Sequence, residues 1–292
     1  MPHLTVVFTP RERFSLADKS LRTLFANCAL PFQLVVVEGD APEPYKSRMH
    51  EALKGRPDVT VIRTEGYVLP GRARNLGLEK ATGDLILFIE NDNMIRPGCV
   101  ERLVETAREY PGGLIQPWLW EGRTRHYDWS ASEIVELPDG SIDILPERTP
   151  PIPLDETPRR VTFMEHHCYL ITRPALAKLG REDEELNTRE AVDMSVAAWR
   201  KGVPVILEPR AQVDFKAPPP VEREETDFFH FRWEVGRADA SNRAVAARWK
   251  VKNMPDTYSF VREQMLRKNQ LTWSLIRARD LVRKIWHRAI GR

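Results

Sequence analysis

The 292-residue chain reads as an α/β protein: a domain over residues 1–217 built on a mostly parallel sheet flanked by helices, then a helical extension over residues 218–292. Three observations predict this. Short apolar runs alternate with helical patterns through residue 120, the rhythm of βαβ units covered on both faces. Several runs end directly in acidic residues, at the strand ends where such sheets bind ligands. After Pro218-Pro219-Pro220 the pattern becomes helical and closes on a basic segment.

The elements follow in order. Leu4-Thr5-Val6-Val7-Phe8 is a strand stopped at Thr9-Pro10, because proline cannot donate to a ladder. A helix is expected near 15–26, with Ser15 as cap and Asp18 three residues on. Gln33-Leu34-Val35-Val36-Val37 is a second strand, ending in Glu38-Gly39-Asp40, with a helix near 45–53 and a strand near 59–63 behind it. A Pro-Gly break opens a helix over 71–81 that Gly83 closes. The strand at 85–89 runs into Glu90-Asn91-Asp92, and a helix near 98–109 and a strand near 113–119 complete the repeat.

Residues 121–160 break the rhythm, and Pro150-Pro151-Ile152-Pro153 rules out regular structure there. A long irregular insertion of this kind is a binding loop or a disordered segment. Trp118, Trp120, Tyr127 and Trp129 at its start either stack a sugar ring or pack in the core. Val161 to Ile171 reads as a strand with Glu165-His166-His167-Cys168 in its middle; alternation sends the two histidines to opposite faces, which argues against a zinc site. Thr188 is the expected cap of a helix ending at Gly202, placing Glu190 and Asp193 near its start. A strand at Val205 to Leu207 and Pro209 follow.

Glu90 and Asp92, one residue apart at the end of a buried strand, suit a hard divalent cation that neutralises nucleotide phosphates. A solvated acidic turn has the same spelling. Glu190 and Asp193 have a structural reading too, since acids are favoured at helix N-termini.

Together these residues resemble the family 2 glycosyltransferases of the GT-A fold, over residues 4–215. The resemblance rests on Thr9-Pro10 after the first strand, Glu38 after the second, Ala73-Arg74-Asn75-Leu76-Gly77, Glu90-Asn91-Asp92 in place of Asp-x-Asp, and Glu190-Ala191-Val192-Asp193 before an amphipathic helix. Glu90-Asn91-Asp92, Glu165-His166-His167-Cys168 and Glu190-Ala191-Val192-Asp193 look like a bacterial subset with Asp-Asn-Asp, Glu-x-His-Cys and Glu-x-x-Asp at those places.

The resemblance implies a GT-A, Rossmann-like sheet and inverting transfer of a sugar from a UDP- or other nucleotide-sugar donor to a glycan, lipid-linked or small-molecule hydroxyl. Mn²⁺ or Mg²⁺ would assist. By position, Thr9, Pro10, Arg11, Glu38, Arg74, Asn75, Glu90, Asn91 and Asp92 fall to the donor, with Asp92 and Glu90 on the metal. Glu190 falls to the base with Asp193 in reserve, and Glu165 and His167 to the acceptor or sugar. Arg11, Arg13 and Arg72 are phosphate contacts or solvated surface arginines. Three departures stand out. Glu90 replaces Asp, Ala191 replaces an acid, and no His follows Pro209, leaving Asp214 as its substitute or Asp92 to hold the metal with phosphates and water.

Composition narrows the alternatives. With 42% hydrophobic residues and apolar runs far short of the eighteen or so needed to cross a bilayer, and with no secretory signal, a cytoplasmic protein is expected. Cys28, Cys99 and Cys168 are too scattered for a disulfide framework or zinc site and read as free thiols. Residues 261–292 carry nine Lys or Arg against two acids, net +7; the chain is +2, so the first 260 residues stand at −5. An acidic body argues against nucleic acid as partner. The segment from Leu271 to Ile290 forms one apolar helical face among arginines and lysines, suited to the inner, anionic face of a membrane, to the catalytic domain or to a second subunit in a homo-oligomer. A nucleotidyltransferase is disfavoured because Thr9-Pro10-Arg11-Glu12-Arg13 has no glycine. A catalytically degenerate nucleotide- or sugar-binding module is the alternative function.

Overall fold

In the computed structural model the expected strands and helices form around one mixed sheet; the structure describes residues 3–9, 12–121, 125–126, 132–145, 157–216, 221–254 and 256–267, with five single positions beyond. The first half alternates as expected: β1 (Leu4–Thr9), α1 (Ala17–Asn27), β2 (Phe32–Val37), α2 (Tyr45–Leu53), β3 (Val59–Ile62), α3 (Pro70–Lys80) and β4 (Leu85–Glu90). A short β5 (Asn93–Ile95) turns back from β4, and α4 (Cys99–Glu109) leads into β6 (Leu114–Glu121). The second half holds β7 (Arg125–His126), β8 (Glu133–Glu136), β9 (Ile142–Leu145), β10 (Arg159–Val161), β11 (Cys168–Thr172), α5 (Arg173–Leu179), α6 (Glu190–Arg200) and β12 (Val205–Phe215). The extension adds α7 (Thr226–Arg232), α8 (Val235–Trp249) and α9 (Thr257–Arg267).

The sheet runs β10-β12-β6-β11-β4-β1-β2-β3. β1 to β4 pair in parallel, as do β6 and β12, but β11 lies antiparallel between the two blocks. Strand residues bury both faces, so the runs are continuously apolar rather than alternating. Val6, Phe8, Leu34, Val36, Leu87 and Ile89 meet Leu21, Leu24, Met49 and Leu103 on one face. Val7, Val35, Ile86 and Phe88 pack with Tyr169, Ala175 and Ala198 on the other.

Several local expectations are corrected. Ser15 is not a cap: a single tight turn over Phe14–Leu16 precedes α1, and the Ser15 N–H donates to Glu225. Thr188 is not a cap either, because α6 opens from Arg189 in the left-handed region with no side-chain bond. The expected strand over 161–171 is two, β10 and β11, separated by a bent segment that carries Glu165, His166 and His167. The insertion is less irregular than expected, since β8 and β9 form a hairpin. Pro138-Asp139-Gly140 at its turn is the signal that predicts it: proline presets φ, Asp139 Oδ1 accepts from Ser141 N–H, and Gly140 takes φ 75°. Tyr127, Trp129 and most of residues 268–292 lie outside the described residues, and with them the expected basic amphipathic helix. No helix among the described residues is long and apolar enough to cross a membrane.

The extension is seated on the sheet's helical layer rather than apart from it. Phe228 of α7 is buried with its ring edge-on to Phe14 and to Tyr67, both at 5.0 Å between centroids.

Helix α3 approaches β1 at Gly77, where a Cβ would overlap the Val7 side chain in the fully buried core. Gly77→Ala is therefore expected to destabilise by about 1–3 kcal/mol, read by urea unfolding; a loss below about 0.5 kcal/mol would show that α3 can lift away freely.

Candidate active site

The strand-end acids are buried together. Thr9 and Glu90 face each other across β1 and β4, and Glu90, Asn91, Asp92 and Asn93 are all at most 2% exposed. The turn after β4 is held by Asn93, whose side-chain amide donates to the carbonyls of Glu90 (3.1 Å) and His167 (2.9 Å) and to Asp92 Oδ1 (2.8 Å). The Glu90 N–H donates to the same His167 carbonyl. This pins the bent segment before β11 against the end of β4, and the His167 ring follows.

His167 Nδ1 lies 3.2 Å from Glu90 Oε2 and 3.8 Å from Asp92 Oδ1; its Nε2 lies 3.9 Å from Glu165 Oε2. Glu90, Asp92 and His167 each offer a ligand atom within 4.8 Å of the others, the one such group among the described residues. Two carboxylates and an imidazole suit a hard or borderline divalent cation, so the donor set fits the metal the resemblance implies. Burial pushes the imidazole pKa down, but Asp92 and Glu90 override it and bring it up to about 10. Burial likewise works against ionised Asp92, yet the Arg13 guanidinium and His167 hold its pKa below the ordinary carboxylate value.

Arg13 reaches Asp92 from the loop after β1. Its backbone sits in the left-handed region (φ 69°), and its guanidinium contacts Asp92 Oδ2 at 2.7 Å and donates to the Lys216 carbonyl at 2.9 Å. Asn91 does not face outward to a donor. Its amide donates to the carbonyls of Glu12 and Arg13 and holds that loop.

Arg74 and Asn75 also depart from expectation. Arg74 is 1% exposed, with Nε and Nη2 forked onto Glu182 (2.6 and 2.8 Å) and Nη1 on Glu90 Oε1 (3.0 Å). Burial alone would lower its pKa, and Glu182, Tyr169 and Glu90 together raise it above the ordinary guanidinium value. Asn75 bonds the backbone of Glu182 and the side chain of Glu184. Both residues thus tie α3 to the loop before α6, facing protein where a diphosphate was expected, because the acids of that loop reach them first. Glu38 is buried at the end of β2 beside His50 (2.5 Å) and Lys46 (3.6 Å). Pro10 and Arg11 lie outside the described residues.

The adjacent histidines diverge, though from a bend rather than a strand: His166 turns to Glu182 (3.6 Å) and the Tyr169 ring. Asp214, the expected substitute for a metal histidine, is paired with Arg96, which donates to its Oδ1 at 2.6 and 3.0 Å. An imidazole stands beside Glu90 and Asp92 from the bent segment before β11, that of His167.

On the far side, Glu190 opens α6 and accepts from Arg232 Nη2 at 3.2 Å. It shares the wall of a cavity of about 50 Å³ with Glu182. Asp193 is committed elsewhere: Arg248 and Trp249 of α8 both donate to its Oδ1 at 2.7 Å, so it clamps two helices. Arg232, 3% exposed, also lies 3.7 Å from Glu12 Oε2. Glu12 and Arg13 are neighbours, so Asp92 and Glu190 are joined through three ion pairs, Asp92–Arg13, Glu12–Arg232 and Arg232–Glu190. Sequence reasoning missed Glu12, Asn93, Glu182 and Arg232; only the second Asn of Glu90-Asn91-Asp92-Asn93 carried a signal, as a turn former.

Solved structures share this architecture. GalNAc-T7 with UDP, GalNAc and Mn²⁺ superposes over 74% of this chain and 44% of its own (TM-score 0.59, 17% identity). Staphylococcus aureus TarS 1-349 with UDP-GlcNAc covers 90% and 72% (TM-score 0.55, 16%), and the mannosyltransferase PcManGT of Pyrobaculum calidifontis with GDP-Man and Mn²⁺ covers 90% and 69% (TM-score 0.55, 15%). The fold is that of the GT-A glycosyltransferases. The glycosyl transferase family 2 model matches residues 6–180, and the chain belongs to that family. Curated relatives include GalNAc(5)-diNAcBac-PP-undecaprenol beta-1,3-glucosyltransferase of Campylobacter jejuni (22% identical over 110 residues, 37% of this chain) and the uncharacterized glycosyltransferase YwdF of Bacillus subtilis (26% over 109 residues, 36% of this chain). The matches span 36% and 39% of those proteins' lengths.

The His167 environment sets a pH dependence. A pKa raised from 6.5 to about 10 on folding stabilises the native state fully below 6.5 and loses that contribution as pH climbs toward 10. In metal-free buffer the urea midpoint should fall more between pH 6 and pH 9 for the parent than for His167→Gln; parallel pH profiles would contradict the assignment.

Proposed function

We propose that this glycosyltransferase moves a sugar from a nucleoside-diphosphate donor to a hydroxyl acceptor with inversion, using a divalent cation at Glu90, Asp92 and His167 and Glu190 as base. The observation that carries the reading is the buried carboxylate–imidazole group at the end of β4, linked by Arg13, Glu12 and Arg232 to Glu190. A bound cation supplies charge neutralisation for the departing diphosphate. The chain's own residues do the rest. His167 must release its proton to serve as a ligand, so cation affinity rises with pH. Arg232 fixes the Glu190 carboxylate at the mouth of α6, where it would take the proton of the attacking hydroxyl. Thr9 and Glu38, at neighbouring strand ends, flank the nucleotide side, and Glu165, beside His167, borders the sugar.

With a panel of UDP-, GDP-, dTDP- and CDP-sugars and Mn²⁺, one donor should be consumed, and ¹H NMR of the first product should show the opposite anomer. Asp92→Ala and Glu190→Gln should each lower kcat by about 10²-fold or more, and Arg232→Met should lower kcat while leaving the donor KM near the parent value. Nucleotide binding without turnover would contradict the transferase reading and favour a degenerate binding module.

The basic segment is proposed to rest on an anionic membrane surface. Leu271, Leu275 and Val282 are exposed, and nine basic residues lie within 261–292. Deleting residues 265–292 should release the protein from liposomes containing acidic lipid; unchanged co-sedimentation would contradict this.

A further inference from the structure

We infer that Glu182, two residues beyond the matched family segment, is a positioning residue for the metal group: it holds Arg74 so that Arg74 in turn orients Glu90. The inference rests on the metal reading proposed above. Arg74 spends two of its N–H groups on Glu182 in a bidentate pair, the arrangement that fixes a guanidinium in both position and plane. With that plane fixed, Nη1 meets Glu90 at Oε1 (3.0 Å), while Oε2 lies 3.2 Å from His167 Nδ1.

Glu182 is itself held. Tyr169 donates its hydroxyl to Oε1 at 3.0 Å, and Asn75 bonds the Glu182 backbone in both directions. These contacts come from α3 and β11, and α3 packs on β1, so the carboxylate is referenced to the same sheet that carries Glu90. Glu182 reaches Glu90 through the Arg74 guanidinium, which is 1% exposed and cannot be replaced by water.

Without the Glu182 carboxylate, Arg74 would be a buried cation with Glu90 as its remaining acidic partner. The low dielectric strongly favours its turning both fork nitrogens onto Glu90. That move takes Oε2 away from His167 and removes a ligand oxygen from the group. Outer partners that orient metal ligands commonly influence affinity by about 10- to 100-fold.

Mn²⁺ alone is the probe, with free Mn²⁺ counted by its EPR signal during titration of the full chain. The parent should bind one Mn²⁺ and Asp92→Asn should abolish that binding. Glu182→Gln should weaken it by about 10- to 100-fold. Arg74→Lys keeps a cation between the two acids but cannot hold both at once, and should weaken it by about tenfold, so the test survives if Glu182→Gln does not fold. Thr106→Val removes a buried hydrogen bond between α4 and Glu208 of β12 and should leave affinity unchanged, separating positioning from general loosening. Parent-like affinity in Glu182→Gln or, should that variant not fold, in Arg74→Lys overturns the inference while the metal reading stands. A parent that binds no Mn²⁺, or an Asp92→Asn variant that binds as the parent does, overturns the metal reading and this inference with it.

Discussion

Six ionisable side chains run in alternating sign through the interior at the end of β4: Glu182, Arg74, Glu90, His167, Asp92 and Arg13. With His167 protonated they sum to zero, which is what allows so many charges to be taken out of water. A pair removed whole from such a setting is tolerable, but one partner removed alone leaves a buried charge uncompensated, at a cost of about 3–5 kcal/mol. The chain therefore behaves as a unit. Its members come from the β1 loop, α3, the β4 turn, the bend before β11 and the loop before α6, so the same interactions that neutralise the acids also fix five segments at one end of the sheet.

That arrangement connects stability to function. Neighbouring buried acids repel one another, and here Arg13 and His167 supply the compensating positive charge. The Arg13 backbone is held in a sparsely populated conformation by the Asp92 contact and the Lys216 carbonyl, which is the kind of local cost that a site tolerates when the surrounding structure over-determines it. A second, shorter set of charges, Glu12, Arg232 and Glu190, reaches the same loop from the extension. Helix α7 is consequently part of the site's frame: Phe228 anchors it in the core, and Arg232 points back to the start of α6.

Much of this was legible before any coordinates. Strand positions followed from apolar runs, the acids at 90 and 92 stood out because they end one of those runs, and Glu190 stood out because it opens a helix in a stretch that resembles the family's base motif. What escaped notice was of two kinds. The antiparallel β11 could not be read from periodicity, and with it went the role of His167, which reaches Asp92 only because the chain enters the sheet from the strand-end side. Side-chain pairings were also invisible. Arg74 and Asn75 look like donor contacts in a linear motif, yet acids more than a hundred positions later occupy them, and Asp193, one helical turn from Glu190, is held by Arg248 and Trp249. Spacing along a helix fixes which residues share a face, but not which partner captures them.

The central claim is that Glu90, Asp92 and His167 form one cation site at the end of β4. Anomalous diffraction from crystals grown with Mn²⁺ and UDP tests it most directly. A manganese peak within coordination distance of all three side chains is predicted. A peak held by other residues, or one bound to Asp92 with His167 still turned toward Glu165, would contradict it.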